Sequence, residues 1–254
     1  MQEVLQKIVR MSRSLGPILI TGETGTGKEA AARAIHKAGP RPHEPFVVLN
    51  CRTRVPSLIE TELFGYERDA FRGAINAKTG LFETVKGGIL YLEKIEGLPL
   101  DLQGKLLRVI QERQVWCVGD TRWTDFRGRL IASTNRDLPE AVRQGNFRKD
   151  LSLRLNVLTI QMPPLRHRKE DIPLLADHFL AKYCGGKRKR PELSPDALDC
   201  LMAYEWPGNV RELENCIRRA RALESGQRVL RVEDLPENIR KPPEEARMRG
   251  LRSG

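Results

Sequence analysis

A glycine-rich loop that ends in lysine constrains this chain more than any other stretch. Residues 18–21 are apolar or β-branched, and residues 22–28 fit the pattern Gly-x-x-x-x-Gly-Lys. Between a strand and a helix this pattern is typical of a P-loop, whose backbone N–H groups and lysine bind nucleotide phosphates. A simple glycine turn is the alternative. The residues expected to bind the nucleotide are Gly22, Glu23, Thr24, Gly25, Thr26, Gly27, Lys28 and Glu29.

The composition indicates a folded chain. Its 254 residues are 40% hydrophobic, enough for one large domain or a domain with a smaller partner. No apolar run approaches the roughly 20 residues that span a bilayer, and the N-terminus lacks a signal-peptide layout, so we expect a cytoplasmic protein with no membrane contact. Five cysteines without a CxxC pair indicate neither disulfides nor zinc. The net charge of +11 suits a polyanionic partner or, equally well, a solvated basic surface.

Hydrophobic patterns predict strands that alternate with helices in the first part of the chain. Short apolar runs predict buried parallel strands, which helices connect in βαβ units. Apolar residues at helical intervals predict the helices. The predicted strands are 18–21, 46–49, 87–92, 129–134 and 157–160, and the predicted helices are 2–12, 28–37 and 99–113, whereas residues 63–74 are read as a long unpatterned loop.

The pattern changes after residue 162, where helical segments replace the strands. The predicted helices are 171–183, 195–204 and 208–224, and the only strand-like run is a weak one at 228–230. We therefore predict a helical second domain. The predicted divisions are an α/β domain over 1–167, a helical domain over 168–239 and a disordered tail over 240–254.

Seven motifs, in order, resemble those of one family. A P-loop α/β domain followed by a helical lid resembles an AAA+ ATPase. The motifs are similar to those of the central domain of the sigma-54-dependent bacterial enhancer-binding proteins, the nitrogen-regulatory-protein-C type. They are residues 22–29, 62–65, 100–111, 134–138, 147–157, 163–166 and 206–213, and together they cover nearly the whole chain. The resemblance implies an AAA+ parallel sheet with flanking helices, and it accounts for Glu29, which this family has in place of the usual Ser or Thr.

The resemblance also implies cofactors and assembly. It implies ATP and Mg²⁺ bound between neighbouring subunits of a ring, commonly a hexamer. Arg148 and Arg154 match arginines that reach the γ-phosphate of the adjacent subunit, although surface salt bridges are the alternative. Asn135 matches a polar sensor of the γ-phosphate, and Arg211 matches a lid arginine that reports nucleotide state. Asn50 matches an asparagine that hydrogen-bonds the catalytic glutamate; each of these three could instead cap a strand or helix.

The residues after the strand 87–92 depart from the family pattern. The family has Asp for the Mg²⁺ site and Glu to polarise water, and this chain has Glu93 and Lys94. Glu93 keeps the charge for the metal, but its extra methylene moves the carboxylate by about one bond length. Lys94 offers only hydrogen-bond donors, and loss of a positioned base typically costs about 10² to 10⁴ in rate. We expect ATP to bind well and hydrolysis to be weak or absent.

The loop that contacts sigma-54 in this family also departs from its pattern. Gly-Ala-Phe-Thr-Gly-Ala is expected, and the corresponding residues are Asp69, Ala70, Phe71, Arg72, Gly73 and Ala74. Asp replaces a flexible glycine and Arg replaces a small hydroxyl residue, so we expect an altered contact with the sigma factor of RNA polymerase. Relatives usually add a regulatory domain and a helix-turn-helix domain, so DNA contact is expected only through a domain absent from this chain.

Three functions remain as hypotheses. The first is an ATP-binding module of a sigma-54-type transcriptional regulator, as in two-component systems, with weak hydrolysis. The second is an active ATPase that remodels the sigma-54 RNA polymerase holoenzyme. The third is a DNA-binding module that does not depend on ATP and that uses the basic cluster 187–190, for which a solvated loop is the alternative.

Overall fold

The computed structural model of the chain describes residues 1–52, 55–71, 74–119, 123–183, 191–223 and 229–240. These residues form two compact units. The sheet unit comprises residues 2–22 and 28–162, and the helical unit comprises residue 1, residues 23–27 and the described residues from 163 onward. Among the described helices, none is long and apolar enough to cross a membrane.

A five-stranded parallel sheet forms the centre of the sheet unit. The strands of this unit are β1 (Ile18–Thr21), β2 (Phe46–Asn50), β3 (Gly65–Tyr66), β4 (Lys78–Thr79), β5 (Ile89–Glu93), β6 (Gln114–Trp116), β7 (Trp123–Asp125), β8 (Arg129–Thr134) and β9 (Thr159–Gln161). The sheet order is β2-β5-β8-β1-β9, and every neighbouring pair is parallel. The short strands form two antiparallel pairs, β3 with β4 and β6 with β7. The predicted parallel α/β sheet is therefore confirmed.

Position in the sheet decides how deeply each strand is buried. All six residues of β8, which has a strand on each side, are buried. β2 lies at the edge of the sheet, and Val48 in it is 38% exposed, so the expectation that this strand is buried is wrong. Val157 is also exposed, because β9 begins two residues later than predicted.

In the described residues of the sheet unit there are seven α-helices. They are α1 (Gln2–Ser12), α2 (Lys28–Ala38), α3 (Pro56–Phe64), α4 (Leu81–Thr84), α5 (Leu100–Glu112), α6 (Leu138–Arg143) and α7 (Lys149–Leu155). The prediction of an unpatterned loop from residue 63 is wrong at its start, because Leu63 and Phe64 are buried at the end of α3. Pro56 occupies the first turn of that helix, where its missing N–H costs nothing.

Arg129 is a buried cation at the start of β8. Its guanidinium donates hydrogen bonds to the carbonyl oxygens of Met11 (2.9 Å), Ser12 (3.2 Å) and Gly16 (3.0 Å). These carbonyls lie at and just beyond the C-terminal end of α1, where the helix dipole favours a positive charge. Burial lowers the pKa of Arg129 to about 10, so the group stays charged at neutral pH. Arg129 thereby attaches α1 to the centre of the sheet.

Across its described residues, the helical unit contains four α-helices and one short strand pair. They are α8 (Ile172–Tyr183), α9 (Pro195–Ala203), α10 (Asn209–Leu223), α11 (Glu237–Arg240), β10 (Glu192–Leu193) and β11 (Val229–Leu230). The predicted helical domain is confirmed, and the weak strand signal near residue 229 corresponds to a parallel pair. Trp206 is fully buried in its core, where its indole N–H donates to the carbonyl of Leu201 at 2.8 Å. The basic cluster 187–190 and residues 241–254 of the predicted tail lie outside the described residues.

The cysteines in the described ranges are not disulfide-bonded to one another. Cys51 and Cys216 are buried, Cys117 and Cys200 are half-buried, and Cys184 lies outside the described residues. Burial raises the pKa of the Cys51 and Cys216 thiols to about 12. The described part of the chain holds no cluster of three or more His, Cys, Asp or Glu that could bind a metal ion.

Candidate nucleotide-binding site

The carboxyl edge of the parallel sheet brings several predicted site residues together. Asn50 lies opposite Glu93 in the register of β2 and β5. Thr21 lies opposite Thr134, so Gly22 and Asn135, the next residues of each chain segment, leave the sheet at the same edge. Open α/β sheets bind ligands at this edge.

Asn50 orients Glu93. Its Nδ2 donates to Glu93 Oε2 at 3.0 Å, and its Oδ1 accepts from the Arg52 N–H at 3.0 Å. The Cys51 N–H also donates to the Glu93 carbonyl at 2.9 Å, which continues the pairing of the two strands by one residue. The resemblance implied contact between Asn50 and the catalytic glutamate. That position is Lys94 here, and the asparagine contacts the preceding carboxylate.

Lys94 adopts a left-handed backbone conformation, with φ 56° and ψ 55°. This conformation costs roughly 1–2 kcal/mol for a residue with a Cβ, and such strain is common at functional sites. Its carbonyl accepts from the Gly97 N–H at 2.8 Å and opens the 3₁₀ turn Ile95–Gly97. The chain therefore turns sharply at Lys94, directly after the sheet ends, and the residue is half-buried.

The phosphate loop, residues 22–28, has the backbone that phosphate binding requires. Gly22, Gly25 and Gly27 have φ of 143°, 82° and 95°, a region that residues with side chains rarely adopt. A Cβ added to Gly27 would meet no heavy atom within 4 Å, so the space beside this glycine is open. A Cβ on Gly25 would lie 2.2 Å from the Gly208 carbonyl oxygen, so only glycine fits there. These features fit a cradle for the phosphates of ATP.

Lys28 and Glu29 begin α2. Lys28 Nζ donates to the Gly22 carbonyl oxygen at 2.7 Å, so the ammonium reaches back to the first residue of the phosphate loop. Glu29 forms an ion pair with Arg33 one turn later, with Arg33 Nη2 and Glu29 Oε1 2.7 Å apart. The lysine is thus placed to meet a phosphate, and the carboxylate of Glu29 is directed along the helix surface.

Glu23 is held by an arginine and an asparagine of the helical unit. Arg166 donates to both carboxylate oxygens, through Nη1 to Oε2 at 2.9 Å and through Nη2 to Oε1 at 2.6 Å. Asn209 Nδ2 donates to Oε2 at 3.1 Å. These hydrogen bonds, above all those from Arg166, lower the pKa of Glu23 to about 2. The side chain is therefore an anion that Arg166 and Asn209 hold in place.

Asn209 is fully buried and has φ 55°. Besides its bond to Glu23, its Nδ2 donates to the Thr24 carbonyl at 3.1 Å, and its Oδ1 accepts from the Leu165 N–H at 2.8 Å. One side chain therefore joins the phosphate loop to the segment that precedes α8.

Two further arginines contact the same loop. Arg168, which is 5% exposed, donates from Nη2 to the Thr26 carbonyl at 2.8 Å. The Arg211 backbone N–H donates to the Gly25 carbonyl at 3.3 Å. Each residue from Glu23 to Thr26 thus accepts a hydrogen bond from the stretch 166–211. The predicted lid arginine Arg211 is brought to the loop by its backbone, and its side chain is exposed.

The other predicted catalytic residues lie on the surface of the sheet unit. Arg148 precedes α7 and forms a surface ion pair with Asp150, with Nη2 and Oδ2 2.8 Å apart. This pair raises the pKa of the Arg148 guanidinium and lowers the pKa of the Asp150 carboxyl. Arg154 and Asn135 are exposed, Arg154 in the last turn of α7 and Asn135 directly after β8. Exposed arginines are available to a second subunit.

Gln103 fixes the backbone of Arg148. This side chain is fully buried, and its Nε2 donates to the carbonyls of Leu98 (2.7 Å) and Asn146 (3.2 Å). Its Oε1 accepts from the Arg148 N–H at 2.8 Å. The amide therefore uses three of its hydrogen-bonding positions to join α5 to the segment that carries the arginine.

The predicted partner loop is described at Asp69, Ala70, Phe71 and Ala74, and Arg72 and Gly73 lie outside the described residues. Asp69 has φ 62°, and its N–H donates to the Ala74 carbonyl at 2.9 Å. The family has glycine at this position, and Asp tolerates the left-handed region better than most residues. Phe71 is 45% exposed, with its ring edge-on to Tyr66 at 5.0 Å.

The parallel sheet, the phosphate loop and the helical unit together define a P-loop nucleotide-binding domain with a helical lid. Comparison with family models narrows this class. The family described as "Sigma-54 interaction domain" matches residues 1–161, and "AAA+ ATPase lid domain" matches residues 166–250. The chain therefore belongs to the sigma-54 interaction domain family of AAA+ proteins, as its motifs predicted.

Individual relatives agree with this assignment. The chain is 50% identical over 227 residues to the DNA-binding transcriptional activator HyfR of Escherichia coli, covering 89% of this chain and 34% of the relative. It is 46% identical over 243 residues to the regulatory protein AtoC of Escherichia coli, covering 95% and 52%. A crystal structure of NtrX from Brucella abortus in complex with ATP matches with a TM-score of 0.86 and 35% identity, covering 99% of this chain and 59% of that one. The chain thus spans about a third to a half of these curated relatives.

Sequence reasoning gave no role to four residues that the structure places in these contacts. They are Gln103, Arg166, Arg168 and Asn209. Three of them lie within the motifs at 100–111, 163–166 and 206–213, so the motifs marked their positions without indicating what they touch. Arg168 carried no such signal, and only its burial reveals it.

Proposed function

We propose that this chain is the ATP-binding module of a bacterial sigma-54-type transcriptional regulator and that it hydrolyses ATP weakly or not at all. One observation carries the proposal. The carboxyl end of β5 presents Glu93, oriented by Asn50, and then Lys94, an ammonium where a carboxylate would be needed.

ATP binding is supported by the phosphate loop. Its glycines have the required backbone, the space beside Gly27 is open, and Lys28 reaches back over the loop. The NtrX relative has been solved with ATP and with ADP. Mg²⁺ in such sites uses one or two carboxylates together with phosphate oxygens, and Glu93 is the carboxylate that would hold it.

Weak hydrolysis is supported by the chemistry of Lys94. Activation of water requires a group that accepts its hydrogen bond, and a protonated amine has no lone pair to offer. A cation close to a triphosphate strengthens binding through Coulomb attraction. The same side chain therefore favours retention of nucleotide and opposes its hydrolysis.

Assembly and partners follow from the family. We propose a ring in which Arg148 and Arg154 reach the site of the adjacent subunit and in which the partner is the sigma-54 form of RNA polymerase. Asp69 and Arg72 replace residues of the family's contact loop, so the contact with sigma-54 is altered. DNA contact would belong to another domain.

The substitution Lys94→Glu tests weak hydrolysis. It supplies the missing acceptor, so we expect steady-state ATP turnover to rise at least about tenfold. Lys94→Gln is the control, because it removes the charge without supplying a base, and its turnover should stay near the wild-type value. Unchanged or lower turnover in Lys94→Glu, with ATP binding retained, would contradict the proposal.

An active ATPase that remodels the sigma-54 holoenzyme is the second candidate. The retained negative charge of Glu93 and its hydrogen bond from Asn50 favour it, because the metal side of the site is intact apart from one methylene. Wild-type hydrolysis coupled to open-complex formation at a sigma-54 promoter would support this candidate over the first.

A further inference from the structure

We propose that Glu23, Arg166 and Asn209 form a loop clamp that holds the phosphate loop in its binding conformation. Arg166 and Asn209 are then positioning residues for nucleotide binding, although neither contacts the nucleotide in this role. The inference rests on the proposed function, since it assigns residues that support binding at the same loop.

The loop clamp has a defined geometry. Two parallel hydrogen bonds from a guanidinium to a carboxylate fix both distance and orientation, and bonds between charged groups are about twice as strong as neutral ones. Asn209 is fully buried, and its amide bonds Glu23, Thr24 and Leu165 as well as the Pro207 carbonyl at 3.5 Å. Loss of the Glu23 carboxylate therefore weakens a buried polar network.

The loop clamp adds to the bonds that the phosphate loop makes within itself. Within residues 23–27, Thr26 donates to the Glu23 carbonyl from its hydroxyl at 2.8 Å and from its N–H at 3.4 Å. Glycine-rich segments lose more conformational freedom on ordering than others. A contact that orders the loop before nucleotide arrives reduces this loss at the binding step.

The loop clamp does not compete with phosphate for the same atoms. Arg166 and Asn209 donate to acceptors of the loop, namely the Glu23 carboxylate and the Thr24 carbonyl, and Arg168 likewise donates to the Thr26 carbonyl. Phosphate oxygens need donors. In a planar trans peptide the C=O and the next N–H point in opposite directions, so fixing the Thr24 and Thr26 carbonyls also aims the N–H groups of Gly25 and Gly27. The contacts thereby orient two donors of the cradle.

The test is ADP affinity of the full chain, measured by calorimetric titration, beside urea unfolding of the same proteins. Glu23→Gln removes the charge, and Arg166→Lys keeps the charge but loses the bidentate geometry. We expect both substitutions to weaken ADP binding by about tenfold or more. The loss of affinity should be larger for Glu23→Gln than for Arg166→Lys. The charge exchange of Glu23→Arg with Arg166→Glu should recover part of the loss.

A matched control lies in the same unit. Glu214 pairs with Lys182 at 2.6 Å, and neither residue is among the contacts of residues 23–27. Glu214→Gln removes the same charge as Glu23→Gln, and its ADP affinity should stay within about twofold of wild type.

Two results overturn the inference and are distinguishable. If wild type binds ADP and the clamp variants bind it equally well, even with a lowered urea midpoint, these residues are only structural and the clamp's role is refuted. If wild type itself has no ADP affinity, the proposed function fails and the clamp's role fails with it.

Discussion

The phosphate loop and the carboxyl edge of the sheet differ in what this chain retains. The loop has its three glycines in the required conformations, Lys28 in reach and every residue from Glu23 to Thr26 held in place. The sheet edge has Glu93 and Lys94 where the family has a shorter carboxylate and a base. Binding needs donors and hydrolysis needs an acceptor, so the two regions can diverge independently. We propose that only the second has changed its chemistry.

The largest effect on ADP affinity is expected when a residue of the phosphate loop itself is substituted. Lys28→Ala removes the ammonium that would neutralise the outer phosphates, and truncating one partner of a hydrogen-bonded charge pair costs about 2–5 kcal/mol. We expect ADP affinity to fall by two or more orders of magnitude in a calorimetric titration. Lys37→Ala, an exposed lysine on the same helix, is the control. Loss of less than about threefold in Lys28→Ala would refute this use of the loop.

A smaller effect is expected at Gln103. This residue holds the backbone of Arg148, which is proposed to act in hydrolysis, so its substitution tests the hydrolytic region and not the phosphate loop. Gln103→Leu removes the side-chain partner of three backbone groups, so the free energy of unfolding should fall by about 2 kcal/mol in urea. Gln111→Leu changes an exposed residue of the same helix and should alter it by less than about 0.5 kcal/mol. Equal effects of the two substitutions would show that the buried amide does not hold this segment.

The smallest effect concerns the pH dependence of the loop clamp. Arg166 and Asn209 lower the pKa of Glu23 from 4.5 to about 2. A lowered pKa stabilises the folded state above the ordinary value, and this stabilisation is lost as pH falls through the folded-state value. The difference in unfolding free energy between wild type and Glu23→Gln should therefore be full at about pH 7 and shrink towards about pH 2. A difference that stays constant or grows on acidification would contradict the assignment.

Local patterns were sufficient to predict the parallel sheet, because its strands contain short apolar runs, such as residues 130–132 of β8, and helical segments alternate with them. They were not sufficient for α3, whose first turn holds Pro56 and whose last buried residues, Leu63 and Phe64, are followed directly by Gly65. Nor did the apolar run of β2 reveal that it lies at an edge. Edge and centre are decided by pairing between distant segments.

The residues of the candidate site also fall into those that the sequence predicted and those that it did not. The phosphate loop and the altered pair Glu93 and Lys94 were found from sequence, because each is a contiguous motif. The contacts of Glu23 were not found, since Arg166 lies 143 positions away along the chain and Asn209 lies 186 away. Contacts of this kind have no period or spacing, so only the fold brings them together.

We propose that nucleotide binding and hydrolysis are separated in this chain, and one measurement tests this separation most directly. ATP affinity and steady-state turnover are measured on one wild-type preparation over a rising range of protein concentration, so that a dissociated ring does not mimic a slow site. We predict saturable ATP binding, with turnover at least about a hundredfold below the roughly 10 s⁻¹ that is typical of enzymes. Saturable binding with turnover near that typical value would contradict the claim.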